Sequence, residues 1–135
     1  VCPGITAASG CTTYAGIPLT HRDFAQSVRF VTAHQKEKDA VNWKSLAELE
    51  QTLVFYMGLT GLNAICKALI QHGRSPSTPA AVVERGTTPE QRVIVANLET
   101  LADIIRNQEV KAPTLLIIGE VVELQNKLSW YKSDS

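Results

Sequence analysis

Hydrophobic positions in this chain follow two rhythms that alternate along its length. Unbroken apolar runs at 53–57, 80–83 and 115–118 mark the segments 53–57, 80–84 and 114–119. Such runs predict strands covered on both faces. At residues 27–32, β-branched and aromatic side chains alternate with polar ones, which predicts another strand. Helical spacing takes over at residues 59–72, where Leu62, Ile65, Cys66, Leu69 and Ile70 recur at i, i+3, i+4, i+7 and i+8, with Gly73 as the stop. Residues 99–107 predict a helix with Leu101, Ile104 and Ile105 inward, broken off by Pro113. Residues 121–128 predict a last helical stretch through Val122, Leu124 and Leu128, packed down by Trp130 and Tyr131.

Three segments carry a weaker pattern. Residues 6–15 predict a helix capped by the Thr6 hydroxyl and broken at Gly16 and Pro18. Its Ala7, Ala8 and Ser9 give it a thin face, suited either to tight packing on a sheet or to a ligand lying over the first turn. Residues 43–51 predict a short helix with Leu46 and Leu49 on one face. Thr87 with Glu90 fits a capping box, whereas Val93, Ile94 and Val95 are consecutive β-branched residues. The expectation is at most one helical turn, then a strand over 91–97. Residues 17–23, 34–42 and 75–79 read as polar loops, the second rich in charge.

The order of elements predicts an α/β fold: a mixed or mostly parallel sheet of about five strands flanked by helices. No internal repeat or second domain is visible across residues 1–135. Composition narrows the picture further. With 44% hydrophobic and 19% charged residues the chain has the profile of a soluble globular protein. Lys+Arg and Asp+Glu number 13 each, which leaves no basic excess for nucleic acid. No apolar run nears the ~20 residues of a membrane span. Cys2, Cys11 and Cys66 are odd in number and lack metal-site spacing, and His21, His34 and His72 are scattered. Reduced thiols in a cytoplasmic protein without a metal are therefore expected. The chain starts at Val1 without an initiator Met or signal peptide, in what resembles mid-fold, so a preceding part is expected.

Candidate chemistry is sparse. No nucleophile elbow, P-loop or dinucleotide fingerprint is present, and Ser9 and Ser27 have no evident base. The turn at Met57-Gly58 ends a buried strand, where α/β proteins place ligands, and glycine there permits close approach. Glu84 is a general base or, more blandly, the partner of Arg85 or Arg92. Arg22, in a polar loop, is an anion contact or a partner of Asp23. Arg29 in its strand is a surface charge or a weaker ligand candidate.

Several segments, in the right order, resemble the uroporphyrinogen-III C-methyltransferases. Val1-Cys2-Pro3-Gly4-Ile5-Thr6-Ala7-Ala8-Ser9 resembles their VPGITAAS, with Cys2 as an insertion or substitution. Gly16-Ile17-Pro18-Leu19-Thr20-His21-Arg22 matches their GIPLTHR loop, and residues 52–59 their TLVFYMGL. Residues 82–92 resemble VENGT…QR, and 116–131 resemble LIIVGxVVxLRxxLxWF, with Gln125 in place of the usual Arg. The likeness spans the chain and is strongest to the methyltransferase part of siroheme synthases.

The resemblance implies a tetrapyrrole methylase fold, in which two α/β subdomains hold S-adenosylmethionine between them. This chain corresponds to the C-terminal subdomain, with the N-terminal one outside it. It implies cofactor contacts at Thr6, Ala7, Met57 and Gly86, and a substrate contact for uroporphyrinogen III at Arg22. It implies two methyl transfers making precorrin-2 in siroheme biosynthesis, with S-adenosylhomocysteine released, in a homodimer. The family's GGDP loop and its acid and base belong to the other subdomain, so catalytic residues are unknown here and this part alone is expected to be inactive. Two other readings stand beside it: a methylase of the same fold with another acceptor, and a non-catalytic dimerisation module.

Overall fold

The apolar runs become the middle of a sheet. The computed structural model describes residues 1–33 and 41–133, so most of the charged loop expected at 34–42 lies outside the described residues. The elements in chain order are α1 (Ala7–Ala15), β1 (Ser27–Thr32), α2 (Trp43–Leu46), β2 (Gln51–Tyr56), α3 (Leu62–Gln71), β3 (Pro79–Glu84), β4 (Arg92–Asn97), α4 (Leu101–Asn107) and β5 (Thr114–Ile118). A 3-10 turn (Glu120–Leu124) and α5 (Gln125–Leu128) follow.

The five strands are ordered β1-β2-β5-β3-β4. Only β1 and β2 pair in parallel; the other three pairs are antiparallel. The expected mixed sheet is therefore observed, with its last strand inserted between β2 and β3. Alternate residues of the three central strands feed two cores. Leu53, Phe55, Val82, Leu116 and Ile118 face the layer of α2, α3 and α4. Val54, Ala81, Val83, Leu115 and Ile117 face α1 and the 3-10 turn. Burial on both faces is why these strands carry no polar alternation.

Several boundaries differ from expectation, each for a local reason. The helix expected over 43–51 stops at Leu46. The Gln51 carboxamide donates to the carbonyls of Ser45 (2.8 Å), Leu46 (3.2 Å) and Glu48 (3.2 Å), and so ties off the helix end. Leu49 is consequently exposed rather than inward. Residues 87–90 form turns and no helix: the Thr87 amide donates to the Gln91 side chain at 2.7 Å, which displaces the capping box. The α4 helix starts at Leu101 rather than Glu99, because the Thr100 amide and hydroxyl bond the Asn97 side chain (3.0 and 2.9 Å); its end at Asn107 is as expected, with Glu109 beyond it at φ 51°. The last helical stretch splits into a 3-10 turn and a short α-helix. Trp130 and Tyr131 do pack down, with ring centroids 5.1 and 5.0 Å from Tyr14.

The α1 helix is held by its surroundings more than by its own sequence. Gly16 caps it at φ 73°, and a side chain there would lie 2.6 Å from the Leu128 carbonyl. Only glycine serves both demands. Its Thr13 carbonyl accepts from Trp130 Nε1 at 2.9 Å, and its Tyr14 carbonyl from Gln91 Nε2 at 3.3 Å.

Candidate functional site

The register of β5 against its neighbours fixes where a site can form. Leu115 lies opposite both Tyr56 and Val83, so β2 and β3 end at the same edge of the sheet. Beyond that edge lies an open cleft of about 1130 Å³. The start of α1, the turn after β2 and the turn after β3 all border it.

Thr6, Ala7, Met57 and Gly86 all line this cleft, although they are widely separated in sequence. Both readings of the thin helix face have a residue. Ala8 is fully buried against the sheet, while Ala7 is exposed to the cleft. The Thr6 hydroxyl does not cap its own helix as expected. It hydrogen-bonds the Tyr56 hydroxyl instead, and that hydroxyl accepts from the Ala8 amide at 2.9 Å. Tyr56 thus supplies the cap from the end of β2, on the face of the sheet that α1 covers.

The turn after β2 also differs from the expected geometry. Met57, not Gly58, takes the left-handed conformation, at φ 55°. Gly58 is buried, and a side chain on it would press on Phe55 and Ile65 rather than on a ligand. Met57 is 62% exposed, an unusual state for a large apolar side chain. Arg85 (φ 47°) and Thr87 (φ 69°) are left-handed as well and line the same cleft. Each such residue costs roughly 1 kcal/mol or more, and strain of this kind gathers at functional sites.

Gly86 is needed for close packing. A Cβ there would come within 2.4 Å of Cys11 Sγ and 3.0 Å of Cys11 Cβ, so the turn after β3 lies directly on α1. Burial raises the pKa of Cys11 and pushes that of Cys66 up to about 11, which keeps both as neutral thiols. Among the described residues no three His, Cys, Asp or Glu side chains group as a metal site.

Glu84 takes its structural alternative. Arg92 Nε donates to it at 2.8 Å and the Lys111 amide at 2.7 Å. Burial alone would raise its pKa; these bonds and the charges of Arg92 and Arg85 outweigh that and hold it below the ordinary range. A carboxylate so paired is a poor base. Arg29 donates to Ser45 Oγ at 2.6 Å.

Arg22 lies apart from the cleft. Its loop adjoins the start of β1, where the Gln26 amide bonds the Glu50 carbonyl at 3.0 Å. That is the other edge of the sheet, a strand length of roughly 20 Å away. Its neighbour Asp23 sits by His21, at 3.9 Å. Tyr56 and the strained Arg85 and Thr87 were missed at the level of sequence. The signal for Tyr56 was present, as a tyrosine closing an otherwise apolar run.

Comparison with known proteins places this arrangement. The profile of the tetrapyrrole (corrin/porphyrin) methylases matches residues 1–102. The siroheme synthase of Saccharophagus degradans is 62% identical over 133 residues, covering 98% of this chain and 29% of that protein. The siroheme synthase of Stutzerimonas stutzeri is 63% identical, with the same coverage. The chain therefore spans less than a third of these relatives. A uroporphyrin-III C-methyltransferase from Thermus thermophilus, complexed with S-adenosylhomocysteine, is 35% identical with a TM-score of 0.75, over 92% of this chain and 53% of that one. A cobalt precorrin-4 methyltransferase superposes with a TM-score of 0.80 at 23% identity, over 89% of this chain and 51% of that one, a likeness of fold alone. Matched over most of its length by the family profile, the chain belongs to the tetrapyrrole (corrin/porphyrin) methylases.

Proposed function

We propose that this chain is the C-terminal subdomain of an S-adenosylmethionine-dependent uroporphyrinogen-III C-methyltransferase, the part of a siroheme synthase that makes precorrin-2. One observation carries the reading: three separate turns bring Thr6, Ala7, Met57 and Gly86 to a single cleft.

The residues present fit the cofactor. Ile5, Met57, Leu59 and Pro113 give the cleft apolar surface for an adenine, and Thr6, Thr87, Thr88 and Arg85 give it polar groups for a ribose and an amino-acid end. The small side chain of Ala7 leaves room for main-chain contact, and Gly86 lets the turn after β3 lie close on α1 at the border of the cleft. When bound, the cofactor supplies a sulfonium methyl group; a pyrrole carbon takes it as the carbon–sulfur bond breaks toward sulfur, and the macrocycle loses a proton. The task of this chain's residues is to orient, which can account for much of the rate in such a transfer. The paired state of Glu84 leaves it no part as a base, in keeping with an acid and base outside this chain.

Arg22 is proposed as a contact for substrate carboxylates away from the cofactor, since it sits at the other edge of the sheet. A homodimer in the cytoplasm completes the proposal, and among the described residues no helix is long and apolar enough to cross a membrane. A methylase of this fold with another acceptor is the second reading. The fall in identity from 35% to 23% between the uroporphyrin-III and precorrin-4 enzymes favours the first.

The test is titration of the full-length protein with S-adenosylhomocysteine. Saturable binding is expected, and no binding would overturn both methylase readings in favour of a non-catalytic module. Methyl transfer to uroporphyrinogen III then separates the two methylase readings.

A further inference from the structure

We infer that the Tyr56 hydroxyl is the positioning group for the cofactor side of the cleft, because it holds the first turn of α1 against the end of β2. The inference rests on the cofactor reading above and adds to it a residue that borders the same cleft but is not among the expected contacts.

An N-cap side chain normally accepts from the second or third amide of its own helix. Here the Ala8 amide, the second, donates to the Tyr56 hydroxyl at 2.9 Å, and the Thr6 hydroxyl bonds that same oxygen. The amides of Ser9 and Gly10 are taken by the Thr6 carbonyl, both at 3.0 Å. The first turn of α1 is therefore closed by a side chain 48 residues away.

Tyr56 is itself fixed. Its backbone pairs with Thr32 on one side and Leu115 on the other. Its carbonyl accepts from the Ala33 amide at 2.9 Å. Its ring meets the edge of Phe30, centroids 6.2 Å apart at 70°. The hydroxyl is thus an anchored point, and two of the four expected contacts, Thr6 and Ala7, hang from it. A third, Met57, follows it directly in the chain. Sequence alone offers α1 little support: it has no acidic residue in its first turn and no cap of its own. Without the hydroxyl, the first turn would fray, and binding would have to order it again.

The experiment uses the full-length protein. Tyr56→Phe keeps the ring and its contact with Phe30 and removes only the hydroxyl. Affinity for S-adenosylhomocysteine is expected to fall roughly tenfold, the size of a lost cap expressed as binding, while the Michaelis constant for the tetrapyrrole changes by less than about twofold. Exchange of the Ala8 amide should quicken in the unliganded protein. Thr6→Val, an isosteric change, should give a similar loss, and the double variant should be no weaker than the weaker single variant, because both changes break one unit. Wild-type affinity in Tyr56→Phe, even with a lowered melting temperature, would overturn the inference and leave the cofactor reading intact. Additive losses in the double variant would overturn it too, by making Thr6 act independently. Failure of the wild-type protein to bind would remove the cofactor reading and this inference together.

Discussion

At the edge where β2 and β3 begin, the chain's own side chains cover the exposed main chain; at the edge where they end, they leave it open. Arg74 is fully buried at the first edge, where its guanidinium donates to the Glu48 carbonyl at 2.5 Å and approaches Glu120 at 3.5 Å. Burial lowers the pKa of Arg74, and the Glu120 charge counters this. Gln51 ties off the end of α2 beside it. At the second edge Met57 is exposed, three residues are left-handed, and the lining groups face an open cleft. A sheet needs both edges finished, since unpaired main-chain groups are costly when buried. One edge is finished internally, with a single left-handed non-glycine residue, Glu50, just before β2. The other gathers three such residues around open space, and strain of this kind collects at functional sites.

Mutations that separate the edges should separate stability from binding. The largest effect is expected from Arg74→Ala, which leaves a cavity and unpaired carbonyls. About 3 kcal/mol of stability should be lost by urea unfolding of the full-length protein, with cofactor affinity unchanged in the folded fraction. A matching fall in affinity would mean that the edges are coupled.

Gly86→Ala should cost about 2 kcal/mol, because the new methyl group meets Cys11 and moves α1. Here affinity should fall as well. Adding Cys11→Ala should recover part of both losses, since it removes the 2.4 Å contact and leaves the 3.0 Å one. No recovery would place the damage elsewhere.

Glu84→Gln should cost about 1 kcal/mol near neutral pH. The folded pKa of Glu84 is below its ordinary value, so the stability it contributes is full above the ordinary carboxylate range and lost as pH falls through the lowered value. Unfolding curves of the parent and the variant should therefore converge in acid. A constant gap would show that the charge is not what matters.

Met57→Asp should change stability by less than about 0.5 kcal/mol, because aspartate tolerates the left-handed conformation. Its effect should appear in weaker binding of S-adenosylhomocysteine, measured by titration. Arg22→Ala is expected to be the mildest in both respects, with no change in cofactor affinity and a raised Michaelis constant for the tetrapyrrole. An equal effect on cofactor would contradict its distance from the cleft.

What could be read from sequence followed from local physics. The runs marking 53–57, 80–84 and 114–119 announced the central strands, since their pattern depends only on burial. The order of strands, with β5 between β2 and β3, had no local signature. Neither did the end of α2, which depends on how the Gln51 side chain turns back. Resemblance brought Thr6, Ala7, Met57 and Gly86 together as a set, and the structure places them around one cleft. The cap from Tyr56 stayed hidden because it joins residues far apart in sequence. The left-handed conformation of Met57 had no signal in sequence, where Gly58 was read as allowing close approach of a ligand.

The way α1 is fastened has a consequence for the order of assembly. This early helix is tied to Tyr56, Gln91 and Trp130, which lie 48, 77 and 117 residues from its bonded atoms. Made before all three, it docks after them, since each tie waits for a later piece of chain. During synthesis the cleft should not exist until residue 130 has left the ribosome. Nascent chains with residues up to 124 outside the ribosome, so that β5 is in place, should accordingly lose α1 to a protease while β2 is spared; equal protection of both would show that the helix docks before its final tie is made.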